Sequence, residues 1–312
     1  MLVGVASSCT GSADRSASLV GDEAMRVIVP TRLAAVCRSR PEWADWLERL
    51  PALVLELQRR WALTLDSPFD THEMSSAWVA PVTRADGTPA ALKIGIPHME
   101  ARQELAGLRF WNGDPTVLLL DAEEAVNAML LERCVPGSAL RALAEPDQGA
   151  VIATLLKRLW RIPPEPHPFR PLAEMIAYWS EETIKDTSRW ADAGLIGDGL
   201  RVFGELLASS DTAVLLATDL HAGNVLQAQR EPWLVVDPKP FVGDPAYDAT
   251  QHLFNCRSRL RSDPATLISR LADLLEVDPE RVRLWAFARA AAEPRSDWKD
   301  PELIALARVL SY

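Results

Sequence analysis

Three apolar runs in the last third of this 312-residue chain, Val214-Leu215-Leu216, Val225-Leu226 and Trp233-Leu234-Val235-Val236, are too short to be helices. Each can be buried only as a strand, so the residues between them are forced into tight turns. The first turn carries Asp219-Leu220-His221-Ala222-Gly223-Asn224, and the third run ends at Asp237-Pro238. Two acids and an amide are thereby held at the ends of short buried strands. Oxygen donors of this kind suit a hard divalent cation and the phosphates that travel with it.

Upstream of these runs the pattern changes at Pro136-Gly137, a turn signal that marks a joint. Pro41 and Pro51 each open a helix, with apolar residues at three- and four-residue spacing behind them. A hairpin follows: a strand over 76–82, an Asp-Gly turn at 85–88 and a strand over 89–94. Residues 98–111 read as a helix whose inward stripe is Ala101, Leu105, Leu108 and Trp111, with Glu104 on or beside it. A strand over 116–120, a turn at 121–124 and an apolar strand over 128–131 complete this part. Beyond the joint the pattern is mainly helical, over 138–144, 148–160, 172–190, 199–208, 247–261, 265–275, 279–292 and 301–310. The expected organisation is a leader or mis-set start at 1–24, a strand-rich lobe at 25–134 and a helical lobe at 135–312. On the first alternative Met1 is the expected start, and on the second Met25.

Composition removes several classes. The formal charge is −10, from 43 acids against 33 Lys and Arg, which argues against nucleic-acid or anionic-membrane binding and suits a cationic partner. Cys9, Cys37, Cys134 and Cys256 are far apart and lack zinc spacing, so a reducing cytoplasm is the expected location. No apolar run reaches bilayer length. There is no phosphate loop ending in Gly-Lys-Ser/Thr, no zincin helix and no Gly-x-Ser-x-Gly elbow.

Phosphoryl transfer asks a protein for positioning and charge neutralisation rather than covalent chemistry. Lys93 shares a strand face with Ala91 while Leu92 and Ile94 face the other way. It either points into water from an edge or supplies a cation for the nucleotide phosphates. Glu104, with Glu100 in reserve, can pin that cation from the next helix. Asn224 and Asp237 can hold Mg2+, and Asp219 can meet an acceptor hydroxyl. The five-position step from Asp219 to Asn224 equals that between catalytic Asp and metal-binding Asn in kinase catalytic loops.

With these residues in order, the stretch from Asp219 to Leu226 resembles the catalytic loop of the aminoglycoside phosphotransferase superfamily. Gly107-Leu108-Arg109-Phe110-Trp111, Met129-Leu130-Leu131-Glu132-Arg133 with Pro136-Gly137, and Asp237-Pro238-Lys239-Pro240 are similar in particular to its aminoglycoside/hydroxyurea kinase branch. The likeness runs from about Trp78 to His252. It implies an α+β, bilobal protein-kinase-like fold with an antiparallel sheet and one key helix in the first lobe. It also implies ATP as phosphoryl donor and adenine contacts from the joint at Glu132 and Cys134. The chain departs from the superfamily in two places. Ala217-Thr218 stands where His-Gly usually precedes the catalytic aspartate, and His72-Glu73-Met74-Ser75-Ser76-Ala77 replaces a glycine-rich loop. Phosphate contacts there would come from backbone N–H groups and from Ser75 or Ser76.

Between Asp237 and Tyr247 there is no room for an activation segment, so a small soluble acceptor is expected rather than a protein. The negative charge suits an amino- or guanidino-bearing antibiotic, with streptomycin the first expectation and Asp248, Glu293 and Asp297 as candidate contacts. No obligate protein partner is indicated. Asp244 and Asp248 also read as residues that fix backbone N–H groups at a helix start. His221 reads as a brace of its own loop. A kinase of hydroxyurea or another small metabolite, and a nucleotide-binding scaffold without turnover, are the alternatives.

Overall fold

The computed structural model describes residues 27–69, 76–98, 103–210 and 212–311. Ser75, Glu100 and the leader lie outside these residues. The first half is built on one antiparallel sheet of five strands, β1 (Thr64–Leu65), β2 (Ala77–Thr83), β3 (Pro89–Gly95), β4 (Leu119–Glu123) and β5 (Ala128–Glu132). They lie in the order β1-β2-β3-β5-β4. The β2–β3 turn forms as the Asp-Gly pair requires: Gly87 takes φ 83°, and the Thr88 N–H and hydroxyl both donate to Asp86 Oδ1.

Strand alternation divides the sheet chemically. Trp78 pairs with Ile94 and Ala80 with Leu92, and these four face a core made with Leu50, Val54 and Leu57. Those three belong to α2 (Ala44–Arg60), which follows α1 (Thr31–Arg38) and a short turn of 3₁₀ helix at Pro41–Trp43. Pro51 sits inside α2 and does not open a second helix. The apolar stripe Trp46, Leu50, Val54 and Leu57 runs unbroken past it, and burial of that stripe outweighs the one backbone bond that proline removes. The opposite face of β3 carries Lys93, opposite Met129 of β5.

Two further expectations are corrected in this half. The strand expected over 116–120 lies instead at β4, taking in Asp121 and Glu123, which looked like turn residues. An edge strand with a solvated face tolerates them. The inward face of α3 (Glu104–Trp111) is Glu104, Gly107, Leu108 and Trp111, rotated from the expected stripe so that Glu104 itself is fully buried.

The second half holds α4 (Glu145–Leu159), α5 (Leu172–Lys185) and α6 (Ala193–Ala208). After four short strands come α7 (Pro245–Asn255), α8 (Arg257–Ser262), α9 (Pro264–Leu275), α10 (Pro279–Ala292) and α11 (Pro301–Leu310). Helices α7, α9, α10 and α11 all begin at Asp-Pro, where the aspartate accepts from a free N–H of the first turn and proline occupies the first helical position. Helix α10 is the axis of this half, with Trp285, Ala286, Ala288 and Ala292 wholly buried. The helix expected over 138–144 is only a 3₁₀ turn at Leu140–Ala142, and that expected over 247–261 breaks between α7 and α8.

The short strands are β6 (Val214–Leu216), β7 (Val225–Gln227), β8 (Trp233–Val235) and β9 (Phe241–Gly243). β6 pairs with β9 and β7 with β8, both antiparallel. β9 has no counterpart in the sequence reading, because three residues after a proline carry no period. Among the described residues no helix is long and apolar enough to cross a membrane.

The two halves meet where α3 lies on the segment after β8. The Trp111 indole donates to Leu159 O at 3.0 Å. Gly107 packs against Pro240, and a Cβ there would lie 2.8 Å from Trp111 Cζ3 and 3.0 Å from Pro240 Cγ. Gly107→Ala therefore sets a helix-propensity gain of about 1 kcal/mol against overpacking of about 1–3 kcal/mol. Chemical denaturation should show a net loss of about 1 kcal/mol. A gain of that size would mean α3 does not press on Pro240.

Candidate active site

β6 ends at Leu216 and the chain turns sharply. Thr218 takes φ 49°, a left-handed conformation costly for a β-branched residue, and the Asp219 N–H folds back onto Ala217 O at 2.7 Å. Three contacts hold that turn. The Thr218 hydroxyl donates to Lys239 O at 2.6 Å, the Lys239 N–H donates to Ala217 O at 2.9 Å, and Asp248 sits beneath. Asp248 Oδ2 accepts from the Ala217 N–H at 3.0 Å and Oδ1 from the Thr218 N–H at 2.7 Å. The Trp160 indole adds a third bond to Oδ2 at 3.0 Å. Thr218 thus uses its hydroxyl to tie the turn to the segment after Asp237.

Downstream, His221 Nδ1 accepts from the Gly223 N–H at 3.0 Å, the loop brace expected of it. A Cβ on Gly223 would meet the end of the Arg141 side chain and the His221 ring, both of which would have to shift. The Asn224 side-chain amide donates from Nδ2 to Asp219 O at 3.0 Å, which turns its Oδ1 outward. The Val236 N–H donates to Asn224 O at 2.9 Å, drawing Asn224 beside the strand that ends at Asp237. Asp219 itself is half-buried, and its Oδ1 accepts from Gln251 Nε2 at 2.8 Å. Burial pushes its carboxyl up to about 6; Asp237 and Glu293 add to that, while Lys239 and Arg289 oppose it.

Asp237, at φ 55°, carries the centre of charge. Its Oδ1 lies 2.6 Å from Lys93 Nζ and 2.5 Å from Lys239 Nζ, and Lys93 Nζ also lies 2.5 Å from Glu104 Oε1. Both lysines and Glu104 are buried. Burial alone would raise the Asp237 carboxyl, but Lys93 and Lys239 outweigh it and hold it well below the usual carboxylate range. For Lys93 burial pulls downward, and Asp237 and Glu104 overcome it, so its ammonium is raised. Glu104 is raised because burial exceeds what Lys93 returns. Among the described residues nothing bonds to Asp237 Oδ2 or Asn224 Oδ1. These are hard oxygen donors on adjacent segments, a set that fits Mg2+ in company with phosphate oxygens. No cluster of three or more His, Cys, Asp or Glu that could hold a metal occurs among the described residues.

The structure therefore gathers Lys93, Glu104, Asp219, Asn224 and Asp237. It sets others elsewhere. Asp248 is 1% exposed with both oxygens engaged by the protein, so it braces the loop and is not a substrate contact. Its acidic character and position after the loop resembled those of an acceptor ligand; only burial tells them apart. Asp297 is an exposed turn residue that accepts from the Lys299 N–H. Glu293 is half-exposed and paired with Arg289 at 2.9 Å. The Glu132 carboxylate accepts from the Leu118 N–H and from Arg230, while Cys134 packs with Leu108, Val117 and Leu234. Ser76 O accepts from the Ile96 N–H as the hairpin closes. Lys239, Gln251 and Arg289 were not foreseen as site residues. Lys239 lay in plain view in Asp237-Pro238-Lys239-Pro240, but prolines on both sides remove any period from which its direction could be read.

Lys93→Met strands a fully buried Glu104. Loss of one partner of a buried pair costs about 3 kcal/mol or more at neutral pH. The unpartnered carboxyl is driven further up, so the loss should shrink as pH falls and Glu104 takes a proton in the folded state. Urea titrations at pH 7 and pH 5 measure this; equal losses at both would show that Glu104 does not depend on Lys93.

Comparison with known proteins places the chain in a family. Residues 60–298 match the model of the aminoglycoside/hydroxyurea antibiotic resistance kinase family. A streptomycin 6-kinase of Streptomyces griseus is 39% identical over 290 residues, covering 86% of this chain and 92% of its own length. A hydroxyurea phosphotransferase of Kitasatospora aureofaciens is 36% identical over 278 residues, covering 85% and 80%. In fold, the chain is similar to choline kinase LicA from Streptococcus pneumoniae, with a TM-score of 0.62 at 13% identity over 84% of this chain and 99% of that one. The chain is a member of the aminoglycoside/hydroxyurea antibiotic resistance kinase family, with an α+β kinase-like fold and ATP as its phosphoryl donor.

Proposed function

We propose that this protein transfers the γ-phosphoryl group of ATP to a hydroxyl of streptomycin or a closely similar aminoglycoside, inactivating it. The observation that carries the reading is the loop from Asp219 to Asn224, which presents a half-buried carboxylate beside an oriented amide and faces Asp237 and Lys93. The relation to streptomycin 6-kinases over most of both chains supplies the substrate class.

In this reading residues 25–134 form the nucleotide side and 135–312 the acceptor side. Adenine meets the backbone at Glu132 and Cys134. Backbone N–H groups near Ser75 and Ser76 meet the phosphates. Lys93 exchanges part of its contact with Asp237 for phosphate oxygens, and Glu104 keeps it aimed. Asn224 Oδ1 and Asp237 would hold Mg2+, which when bound offsets charge on the phosphates. The free Asp219 Oδ2 accepts the proton of the acceptor hydroxyl as its oxygen bonds to the γ-phosphorus, and ADP leaves. The acidic balance of the chain suits a guanidino-bearing acceptor. Supply of ATP places the reaction in the cytoplasm.

Hydroxyurea is the second reading, favoured by the phosphotransferase relative at 36% identity. Incubation with ATP and Mg2+ and separately with streptomycin, hydroxyurea and a choline control, read by mass spectrometry, decides between them. The expected result is one added phosphoryl group on streptomycin. Transfer to hydroxyurea alone would move the assignment to the second reading, and no product from either would leave a nucleotide-binding scaffold. Because Asp219 must be ionised to accept a proton, kcat should fall as pH drops below about 6.

A further inference from the structure

Asp219 is not held by its own loop alone. Its Oδ1 is met by Gln251 Nε2 from α7, at 2.8 Å, and the other end of that amide, Oε1, accepts from Arg289 Nη2 of α10 at 2.9 Å. The order of these contacts follows from chemistry. A guanidinium only donates, so the Gln251 carbonyl must face Arg289, and its NH2 must then face Asp219. Gln251 cannot flip without setting NH2 against N–H at one end and oxygen against carboxylate at the other.

Arg289 is in turn fixed on every side. It is 6% exposed, donates from Nη1 to the Thr250 hydroxyl at 2.7 Å and from Nε to Glu293 Oε2 at 2.9 Å. Its guanidinium carbon lies 5.6, 5.1 and 4.9 Å from the ring centroids of Trp179, Tyr247 and Phe254. Thr250 donates onward to Tyr247 O at 2.6 Å, so the hydroxyl has its lone pairs, not its proton, toward the arginine. A cation this buried is costly unless every donor has a use. Here the uses form one line, from Glu293 through Arg289 and Gln251 to Asp219.

We propose that Gln251 and Arg289 are positioning residues that occupy one oxygen of Asp219 and leave the other to the acceptor hydroxyl. The proposal rests on the reading of Asp219 as proton acceptor. It makes the acceptor geometry depend on α10, outside the kinase motifs, and it links Glu293 to the reaction through Arg289 rather than as a direct ligand. The charged groups facing Asp219 are Lys239 and Asp237 from the segment after β8, Arg289 from α10 and Glu293 just past its end. Gln251 is the neutral donor among them.

The test is the split between kcat and KM with whichever acceptor the protein phosphorylates, for the full chain and for Gln251→Leu, Gln251→Glu and Arg289→Lys, with urea denaturation of each. Gln251→Leu removes a donor to the carboxylate, so kcat should fall about tenfold with KM for ATP within about twofold. Gln251→Glu is nearly isosteric and keeps the packing but sets a carboxyl where the donor stood, so kcat should fall at least as far. Arg289→Lys keeps the charge but releases the planar hold on Gln251, and should lower kcat more than it raises KM for ATP. Wild-type kcat for Gln251→Glu, or a fall in kcat no larger than the loss of folded protein, would make Gln251 a packing residue and overturn the proposal. Transfer by Asp219→Asn at the wild-type rate would remove the underlying reading of Asp219, and the proposal with it.

Discussion

One carboxylate oxygen of Asp237 lies between two ammonium groups, Lys93 from the sheet and Lys239 from its own segment. Everything else in the site can be traced outward from that contact. Lys93 reaches it because strand alternation turns Leu92 and Ile94 into the core behind the sheet. Glu104 reaches Lys93 because α3 lies close on Pro240, with glycine at the contact. A buried charge cluster of this kind is weak evidence for stability, because desolvation of the charges offsets most of their attraction. In the proposed reading it is poise: two buried cations, a buried Glu104 and a part-exposed Asp237 are already assembled where a triphosphate would place its own charge, with little left to rearrange.

The loop from Asp219 to Asn224 depends on this centre but does a different task. Lys239 belongs to both, pairing with Asp237 through its side chain and closing the Thr218 turn through its backbone. Asp248 holds the same turn from below by two backbone N–H groups. Strain at Thr218 and Asp237, both left-handed, is thus met by contacts on each side. Asn224 and Asp237 are thereby held on adjacent segments, each with one side-chain oxygen unengaged among the described residues, while Asp219 is held through one oxygen by Gln251.

How much of this could be read from sequence depended on the range of the interaction. Lys93 was legible because period two is local, and Asp219, Asn224 and Asp237 because their spacing is a loop property. The role of Asp244 at a helix start was legible for the same reason. Contacts across the fold were not. Nothing near Gln251 in sequence signals that Asp219, 32 positions earlier, is its partner, or that Arg289 will orient it. Asp248 was misplaced as a substrate contact, since an acid that caps a buried turn and an acid that meets a ligand look alike until burial is known. Edge strands failed for another reason: β4 carries Asp121 and Glu123 on an open edge, where packing asks for no apolar pattern.

The division of labour between Asp219 and the Asn224–Asp237 pair is the account's central claim, and single-turnover transfer by Asp219→Asn tests it most directly. With ATP affinity measured in parallel, transfer should fall by about 10²–10⁴-fold while nucleotide binding stays within about twofold, because the asparagine keeps the loop's shape but cannot take the proton. Transfer at the wild-type rate, or loss of ATP binding equal to the loss of transfer, would contradict it.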